Sequence, residues 1–260
     1  FSVRDSASKK LLLKAGVSPH TVKVTTDPAI LLRPEPGVDN LPADGKPSII
    51  FCIRHLPSIE PGFKMNYLLP VSIRHSLGIE WKQVHGRVEN LVEGVARSIK
   101  IAVEEFGAQA VLLPLWPGRD EEMLDLVERA AIAKGVPPGK IIRAELENEP
   151  GKFASYVGKA DLLMSMRLHA LIFGAAQGVP MIALSYARKV RGFMRELGLE
   201  RWVVEVERQM PDPDEMEAQL RKLWANRKQE SERVLEAASL ARKVATSDAE
   251  MIVEIINRKG

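Results

Sequence analysis

The chain has 260 residues, of which 45% are hydrophobic and 27% charged, so it can bury a large core. Its net charge of +3 is small, and basic residues alternate with acidic ones, which argues against a nucleic-acid partner. Apolar runs fall well short of the roughly 20 residues of a membrane-spanning helix, and the single cysteine excludes a disulfide within the chain and favours a reducing compartment.

The first part of the chain predicts a helix, a short strand and a linker. Asp5 can cap an amphipathic helix over Lys9–Ala15, and the β-branched stretch Val22–Thr25 is typical of a strand. Leu32–Lys46 is rich in proline and almost without periodicity. It is therefore predicted to be a linker and is the only candidate domain boundary, which divides the chain into residues 1–42 and 43–260.

From Ser48 onward, apolar strands alternate with amphipathic helices. The predicted strands are Ser48–Ile53, Ala110–Leu115, Lys140–Ala144, Ala160–Ser165, Pro180–Leu184 and Trp202–Val206. The helices between them are Val88–Phe106, Asp120–Lys134, Gly151–Lys159, Leu168–Gln177 and Lys189–Leu197. Strands that are apolar on both faces predict a parallel sheet with helices on both sides, that is, an α/β, Rossmann-like doubly wound domain.

Two segments depart from this alternation. Residues 57–86 contain several prolines and glycines and are predicted to be a long loop or small insertion after the first strand. From Asp214 almost to the end, alternating basic and acidic residues predict two or three charged amphipathic helices. These helices are expected to cover the sheet, and a role at a membrane surface is an open alternative.

The carboxyl ends of the strands should carry the functional site, because ligands bind there in an open parallel sheet. The residues at these positions are mostly cationic or polar: Arg54, His55, Trp116, Gly118, Arg119, Glu145, Glu147, Asn148, Met166, Arg167, His169, Ser185, Tyr186, Arg188 and Lys189. Helices predicted to begin near Arg167 and Lys189 add N–H donors and partial positive charge. Arg54 and Arg167 suit bidentate binding of a carboxylate or a phosphate, so this edge is predicted to bind an anion.

Several common fingerprints do not occur in the sequence. It contains neither GxGxxG nor a Walker A sequence, and no nucleophile elbow. No cluster of His, Cys and Asp has the spacing of metal ligands, so no metal site is predicted. Cys52 lies inside an apolar strand and is interpreted as a core residue rather than a nucleophile.

The stretch Ala160–Pro180 resembles the signature of the polysaccharide pyruvyl transferase family, most sharply at Ser165-Met-Arg-Leu-His169. As in that family, Gly-Val-Pro, a strand and the element Ser185–Val190 follow it. Ser2-Val-Arg-Asp5 and Asp27-Pro-Ala29 resemble motifs from the end of the family's first domain. The resemblance extends to about Val206 and is nearest to the cell-wall type, whose ketal pyruvate anchors surface-layer proteins.

The resemblance implies a two-domain, glycosyltransferase-B-like fold. Residues 1–42 would then be the remnant of an N-terminal Rossmann-like domain with its linker, and residues 43–260 the C-terminal donor-binding domain. The chain begins at Phe1 and is expected to be part of a longer protein, with most of the first domain outside it. Trp116, where a polar residue is expected, and the segment 57–86 depart from the family pattern.

The implied activity is transfer of a pyruvyl group from phosphoenolpyruvate to a sugar of a cell-surface polysaccharide precursor, which forms a ketal and releases phosphate. Phosphoenolpyruvate is the donor substrate and no cofactor is expected. The expected acceptor is a lipid-linked oligosaccharide at a cytoplasmic location or the inner face of the membrane. The family's arginine, leucine and histidine contact phosphoenolpyruvate, which corresponds here to Arg167, Leu168 and His169.

On this basis Arg167 and His169 are the candidate catalytic residues. The candidate substrate-binding residues are Arg54, Leu168, Ser185, Tyr186 and Lys189. His169 is expected to protonate the departing phosphate and Lys189 to offset the developing charge. The general acid and base of the carbon chemistry are not assigned; Asp27 and Glu147 are weak candidates.

Two other function classes stay open from the sequence. A nucleotide-sugar-dependent glycosyltransferase or epimerase would share the fold and would use acidic residues such as Glu145 and Glu147 on ribose and sugar hydroxyls. A non-catalytic binding or scaffold domain is the second alternative. The acceptor sugar, its hydroxyls and the oligomeric state are not predicted.

Overall fold

The computed structural model describes residues 1–35, 45–55, 87–116, 118–145, 149–206 and 210–257. The predicted domain boundary at 42/43, the segment 57–86 and the candidates Glu147 and Asn148 lie outside these ranges. The division of the chain into two domains therefore stays a prediction.

The N-terminal segment contains a small sheet and one helix. Strand β1 (Ser2–Val3) pairs in parallel with β2 (Lys23–Val24), and helix α1 (Ser6–Lys14) lies between them in the chain. The Asp5 carboxylate caps α1 by accepting the Ser8 N–H at 2.7 Å. None of the residues of α1 is buried, so its three leucines are only partly covered.

Six parallel strands form the central sheet. They are β3 (Ser48–Cys52), β4 (Gln109–Leu112), β5 (Ile141–Arg143), β6 (Leu162–Ser165), β7 (Met181–Ser185) and β8 (Val203–Glu205). Their order across the sheet is β5-β4-β3-β6-β7-β8. The chain thus starts in the middle, runs outward to β5, returns beside β3 and runs outward the other way, so the Rossmann-like doubly wound fold is confirmed.

The strands are connected by helices, as the alternation predicted. These are α2 (Arg87–Glu104), α3 (Glu121–Ala133), α4 (Pro150–Gly158), α5 (Leu168–Ala176) and α6 (Arg188–Glu196). Every residue of β3, β6 and β7 is buried, which explains why these strands are apolar on both faces. Helix α5 lies very close to the sheet at Gly174, where an added Cβ would lie 3.0 Å from a methyl group of Leu163.

The C-terminal region is one helix, α7 (Pro213–Asn257), of 45 residues. The prediction of two or three separate helices was wrong, because neither proline nor glycine follows Pro213 within it to break the backbone. Near its start, Asp214 accepts a hydrogen bond from Arg97 of α2 at 2.7 Å. Near its end, Asp248 accepts one from the Ser2 hydroxyl of β1, also at 2.7 Å. Among the described residues, no helix is long and apolar enough to cross a membrane.

Candidate active site at the switch point of the sheet

The order in which the chain adds strands to the sheet reverses between β3 and β6, which are parallel neighbours. As a result, the arginines that follow these two strands lie at the same edge of the sheet. The last residues of these strands, Cys52 and Ser165, are register partners. Arg54 and Arg167 each lie two residues beyond them, at the carboxyl ends of neighbouring strands. Such a switch point is where open α/β sheets form a ligand crevice. The structure therefore brings the two arginines to one edge, as the sequence predicted.

The turn between β6 and α5 is fixed by Ser165. Its hydroxyl oxygen accepts the Arg167 N–H at 2.9 Å and lies 3.1 Å from the Arg167 carbonyl oxygen. Arg167 then takes an extended conformation at the N-cap, and α5 begins at Leu168. Among the described residues no side chain caps this end of α5, so its first N–H groups lie at the carboxyl end of β6 without a side-chain acceptor.

The Arg167 guanidinium is held by Asp120, a residue that the sequence did not single out. Arg167 donates from Nε to one carboxylate oxygen at 3.1 Å and from Nη2 to the other. Asp120 also accepts the N–H groups of Leu115 and Trp116 at 3.1 and 3.0 Å, which folds the loop after β4. Both charged groups are buried, so the pair neutralises Arg167 within the protein.

This ion pair crosses the end of β3, because β3 lies between β4 and β6 in the sheet. Cys52 ends β3 and is completely buried beneath it. Burial, followed by the charge of Asp120, raises the pKa of the Cys52 thiol to about 12. A thiol with this pKa stays protonated near neutral pH, which supports the interpretation of Cys52 as a core residue.

Arg54 is bound to Tyr186, which follows β7. Its Nη1 donates to the tyrosine hydroxyl at 2.8 Å, and its guanidinium carbon lies 4.5 Å from the ring centroid. Lys189, in the first turn of α6, has its ammonium nitrogen 5.9 Å from the same centroid. Both contacts are within the range of cation–π interactions. Tyr186 thus contacts two cations at the sheet edge, one that follows β3 and one in the first turn of α6.

Two further predicted residues lie on the first turn of α5. His169 is exposed, with its ring centroid 6.2 Å from that of Phe173, one turn along the helix. Leu168 is buried and packs in the core. Ser185, the last residue of β7, is also buried. An exposed imidazole beside a helix start can reach a bound anion, whereas Leu168 and Ser185 can shape the site only from beneath.

Trp116 forms an aromatic wall on the β4 side of the crevice. Half of its surface is exposed, at 51%. The Arg119 guanidinium carbon lies 4.3 Å from the centroid of its ring, and that of Arg167 lies 6.0 Å away. A tryptophan where a polar residue was expected thus lies within cation–π distance of two guanidinium groups.

The acidic candidates lie elsewhere. Asp27 accepts the Ala29 N–H at 3.1 Å and pairs with Arg4 at 3.4 Å, so it caps the short 3-10 helix Pro28–Leu31. Glu145 follows β5, the outermost strand, with β4 and β3 between it and the switch point. Within the described ranges, no group of three or more His, Cys, Asp and Glu side chains could hold a metal ion.

Comparison with known proteins adds the family and the fold. A family model described as polysaccharide pyruvyl transferase matches residues 1–188. Among curated protein sequences, none is significantly similar to the chain.

Three solved structures show the breadth of the fold. S. aureus MnaA with UDP has a TM-score of 0.59 at 13% identity and is covered over 60% of its length by 97% of this chain. UDP-GlcNAc 2-epimerase from Neisseria meningitidis, bound to UDP-GlcNAc, has a TM-score of 0.55 at 13% identity, over 60% of its length and 96% of this chain. Anabaena Alr3699/HepE, with UDP and glucose, has a TM-score of 0.52 at 13% identity, over 62% of its length and 98% of this chain. The chain thus spans about 60% of these proteins, and at such identity the likeness establishes the glycosyltransferase-B-like fold alone.

Proposed function

The chain belongs to the polysaccharide pyruvyl transferase family, and on that premise we propose that the β3–β6–β7 edge binds phosphoenolpyruvate and transfers its pyruvyl group to a sugar. The observation that carries the proposal is the convergence of Arg54 and Arg167 on register-paired strands, with His169 on the adjoining helix turn. Phosphoenolpyruvate has a carboxylate and a phosphate a few bonds apart, which requires two neighbouring cationic groups and an exposed proton donor.

The two arginines are proposed to act differently. Arg54 is partly exposed and contacts the Tyr186 hydroxyl and the His55 carbonyl oxygen; no partner among the described residues occupies its Nη2, which is the proposed donor to the anion. Arg167 is buried and its Nε and Nη2 are bound to Asp120. In the part of the chain that the structure describes its Nη1 has no partner and is proposed to meet the ligand, so its main contribution is a fixed position rather than full charge.

His169 and Lys189 complete the donor site in this proposal. His169 donates a proton to the phosphate as the bond between carbon and the bridging oxygen breaks. The first N–H groups of α5 stabilise the negative charge that develops on the phosphate oxygens. Lys189 lies beside Tyr186 and offsets the negative charge of the second anionic group. The side chains of Leu168 and Ser185 support the loops from the core.

The proposed transfer turns the three-carbon unit of phosphoenolpyruvate into a cyclic ketal on the sugar. The methylene carbon of phosphoenolpyruvate takes a proton and becomes a methyl group, which leaves an oxocarbenium-like centre at the adjacent carbon. One sugar hydroxyl adds to that carbon and loses its proton, phosphate departs with a proton, and the second hydroxyl adds, loses its own proton and closes the cyclic ketal. The acceptor is proposed to be a sugar of a cell-surface polysaccharide precursor carried on a lipid, so the protein would work from the cytoplasm at the membrane face.

A direct test measures phosphate release from phosphoenolpyruvate in the presence of a lipid-linked N-acetylhexosamine, with mass spectrometry of the sugar product. The proposal expects phosphate and pyruvylated sugar in equal amounts. Calorimetric titration with UDP-N-acetylglucosamine tests the nucleotide-sugar alternative. Binding of the nucleotide sugar, without binding of phosphoenolpyruvate, would reject pyruvyl transfer in favour of that alternative.

A further inference from the structure

A second cationic cleft lies between α1 and α6, beside the donor site. It has a volume of about 660 Å³, within the usual range for small-ligand sites. One wall is formed by Ala7, Lys10, Leu11 and Lys14, which recur at helical spacing and so share one face of α1. The other wall is formed by Ser185 and by residues of α6 that include Arg188, Lys189, Arg191 and Arg195.

The acidic residues of this cleft are already engaged. Asp5 caps α1 through the Ser8 N–H. Glu200 and Glu205 lie 3.3 and 3.1 Å from Arg191. Within the part of the chain that the structure describes, no acidic side chain lies within ion-pair distance of Lys10, Lys14, Arg188 or Lys189. All four are exposed, so the cleft has an excess of positive charge on both walls.

The shape and position of the cleft indicate the kind of anion. Charges on two facing helices suit a ligand with several anionic oxygens better than a single carboxylate. The start of α6, which no side chain caps, adds N–H donors at Arg188 and Lys189. Leu11, with 69% of its surface exposed, provides an apolar patch on the opposite wall.

Lys189 connects this cleft with the donor site. Its side chain lines the cleft, and its ammonium nitrogen also lies 5.9 Å from the Tyr186 ring to which Arg54 is bound. A ligand held between α1 and α6 therefore ends where the proposed pyruvyl donor begins. The chemistry expected of such a ligand is an anionic handle in the cleft and a sugar at its end near Tyr186.

We propose that the α1–α6 cleft binds the diphosphate of a sugar diphosphate ester, which presents the acceptor sugar to the donor site. The inference rests on the proposed function, since it assigns the cleft to the acceptor of that reaction. Lys10 and Lys14 bind the diphosphate from one side and Arg188 from the other.

The test titrates inorganic pyrophosphate into the protein by calorimetry, with phosphoenolpyruvate titrated in parallel. The double variant Lys10→Ala/Lys14→Ala removes two charges from the wall that the donor site does not share. The double variant Lys228→Ala/Lys243→Ala removes the same charge from exposed positions of α7 and serves as the control. Alanine favours helix at all four positions, so folding is preserved.

We expect the Kd for pyrophosphate to rise about tenfold in the α1 variant, to stay unchanged in the control, and to rise with salt in the parent protein. The Kd for phosphoenolpyruvate should not change in either variant. Equal pyrophosphate affinity in both variants, or displacement of pyrophosphate by phosphoenolpyruvate, would overturn the cleft assignment. Failure of phosphoenolpyruvate to bind, with the pyrophosphate effect intact, would instead overturn the donor assignment alone.

Two competitors distinguish the source of the diphosphate. UDP-N-acetylglucosamine supplies it as a nucleotide ester, and a short-chain isoprenyl diphosphate supplies it as a lipid ester. Displacement of pyrophosphate by either one, lost in the α1 variant, supports the proposal and identifies the carrier. If neither competes, the cleft does not bind diphosphate esters and the proposal is rejected.

Discussion

Asp120 and Arg167 form a bidentate ion pair whose two side chains are buried over the end of β3. The residues are 47 positions apart and belong to loops that follow β4 and β6. The pair ties together the loops that follow β4 and β6, so the position of Arg167 in the proposed donor site depends on Asp120.

Replacing Asp120 by asparagine should be strongly destabilising. The change leaves the Arg167 charge buried without its partner, which costs about 3–5 kcal/mol in comparable cases. Urea unfolding measures the free energy of unfolding. Asp125→Asn is the control, because it removes an exposed partner of Arg143 and should cost less than about 1 kcal/mol. Equal effects of the two changes would contradict the role given to the buried pair.

Tyr186→Phe should weaken donor binding with little effect on stability. The variant retains the ring beneath Arg54 and Lys189 but removes the hydroxyl that accepts from Arg54 at 2.8 Å. Loss of one such hydrogen bond corresponds to about 1 kcal/mol, or roughly a fivefold rise in the Kd for phosphoenolpyruvate. Calorimetry checks it, with Tyr156→Phe on α4 as a control that leaves the sheet edge intact. An unchanged Kd would remove Tyr186 from the orientation of Arg54.

His169→Ala should lower turnover far more than donor binding. A proton donor of this kind contributes about a hundredfold or more to the rate, whereas the arginines that hold the anion remain in place. Phosphate release and the Kd for phosphoenolpyruvate are measured on the same preparation. His20→Ala provides a matched control, since His20 is exposed on the 3-10 helix Pro19–Thr21. Turnover equal to that of the control would exclude His169 from the reaction.

Cys52 should make stability depend on pH in the alkaline range. Its pKa is about 12 in the folded protein, while an exposed thiol titrates near roughly 8.5. Between these values the unfolded chain loses a proton that the folded protein keeps, so the free energy of unfolding falls as pH rises, by up to about 1.4 kcal/mol per pH unit.

Urea unfolding at pH 8, 9 and 10 tests this dependence in the parent protein and in Cys52→Ala. The variant should lose part of the slope. Tyr156, whose pKa burial raises to about 12, adds a slope of its own only above pH 10, outside the range of these measurements. Slopes that are identical in the two proteins would show that Cys52 ionises normally in the fold.

The sequence predicted the sheet well because its signals are local. The apolar runs of β3, β6 and β7 are buried on both faces, and three of the helices are followed by a glycine with a positive φ, namely Gly107, Gly135 and Gly198. The arrangement of Arg54 beside Arg167 also followed, because parallel strands end at the same edge.

The parts that the sequence did not predict depend on contacts between distant residues. Asp120 was read only as the start of a helix, and nothing in its spacing from Arg167 indicates that one binds the other. The prediction of two or three charged helices missed the length of α7, which runs unbroken over 45 residues and contacts α2 and β1 near its two ends. The α1–α6 cleft could not be predicted either, because it depends on how two helices that are far apart in the chain are placed in the fold.

Helix α7 is connected to one wall of that cleft through the N-terminal strand. At 1.5 Å per residue it extends about 68 Å, and its two ends rest on different supports, Arg97 of α2 and Ser2 of β1. Since β1 leads directly into α1, the hydrogen bond between Ser2 and Asp248 connects the α1 wall of the cleft to α7. The α1 wall also contacts α6 directly, because the Ser6 N–H donates to the Glu196 carboxylate at 3.3 Å. The position of α1, and with it the proposed diphosphate site, therefore depends on a helix that lines neither wall of the cleft.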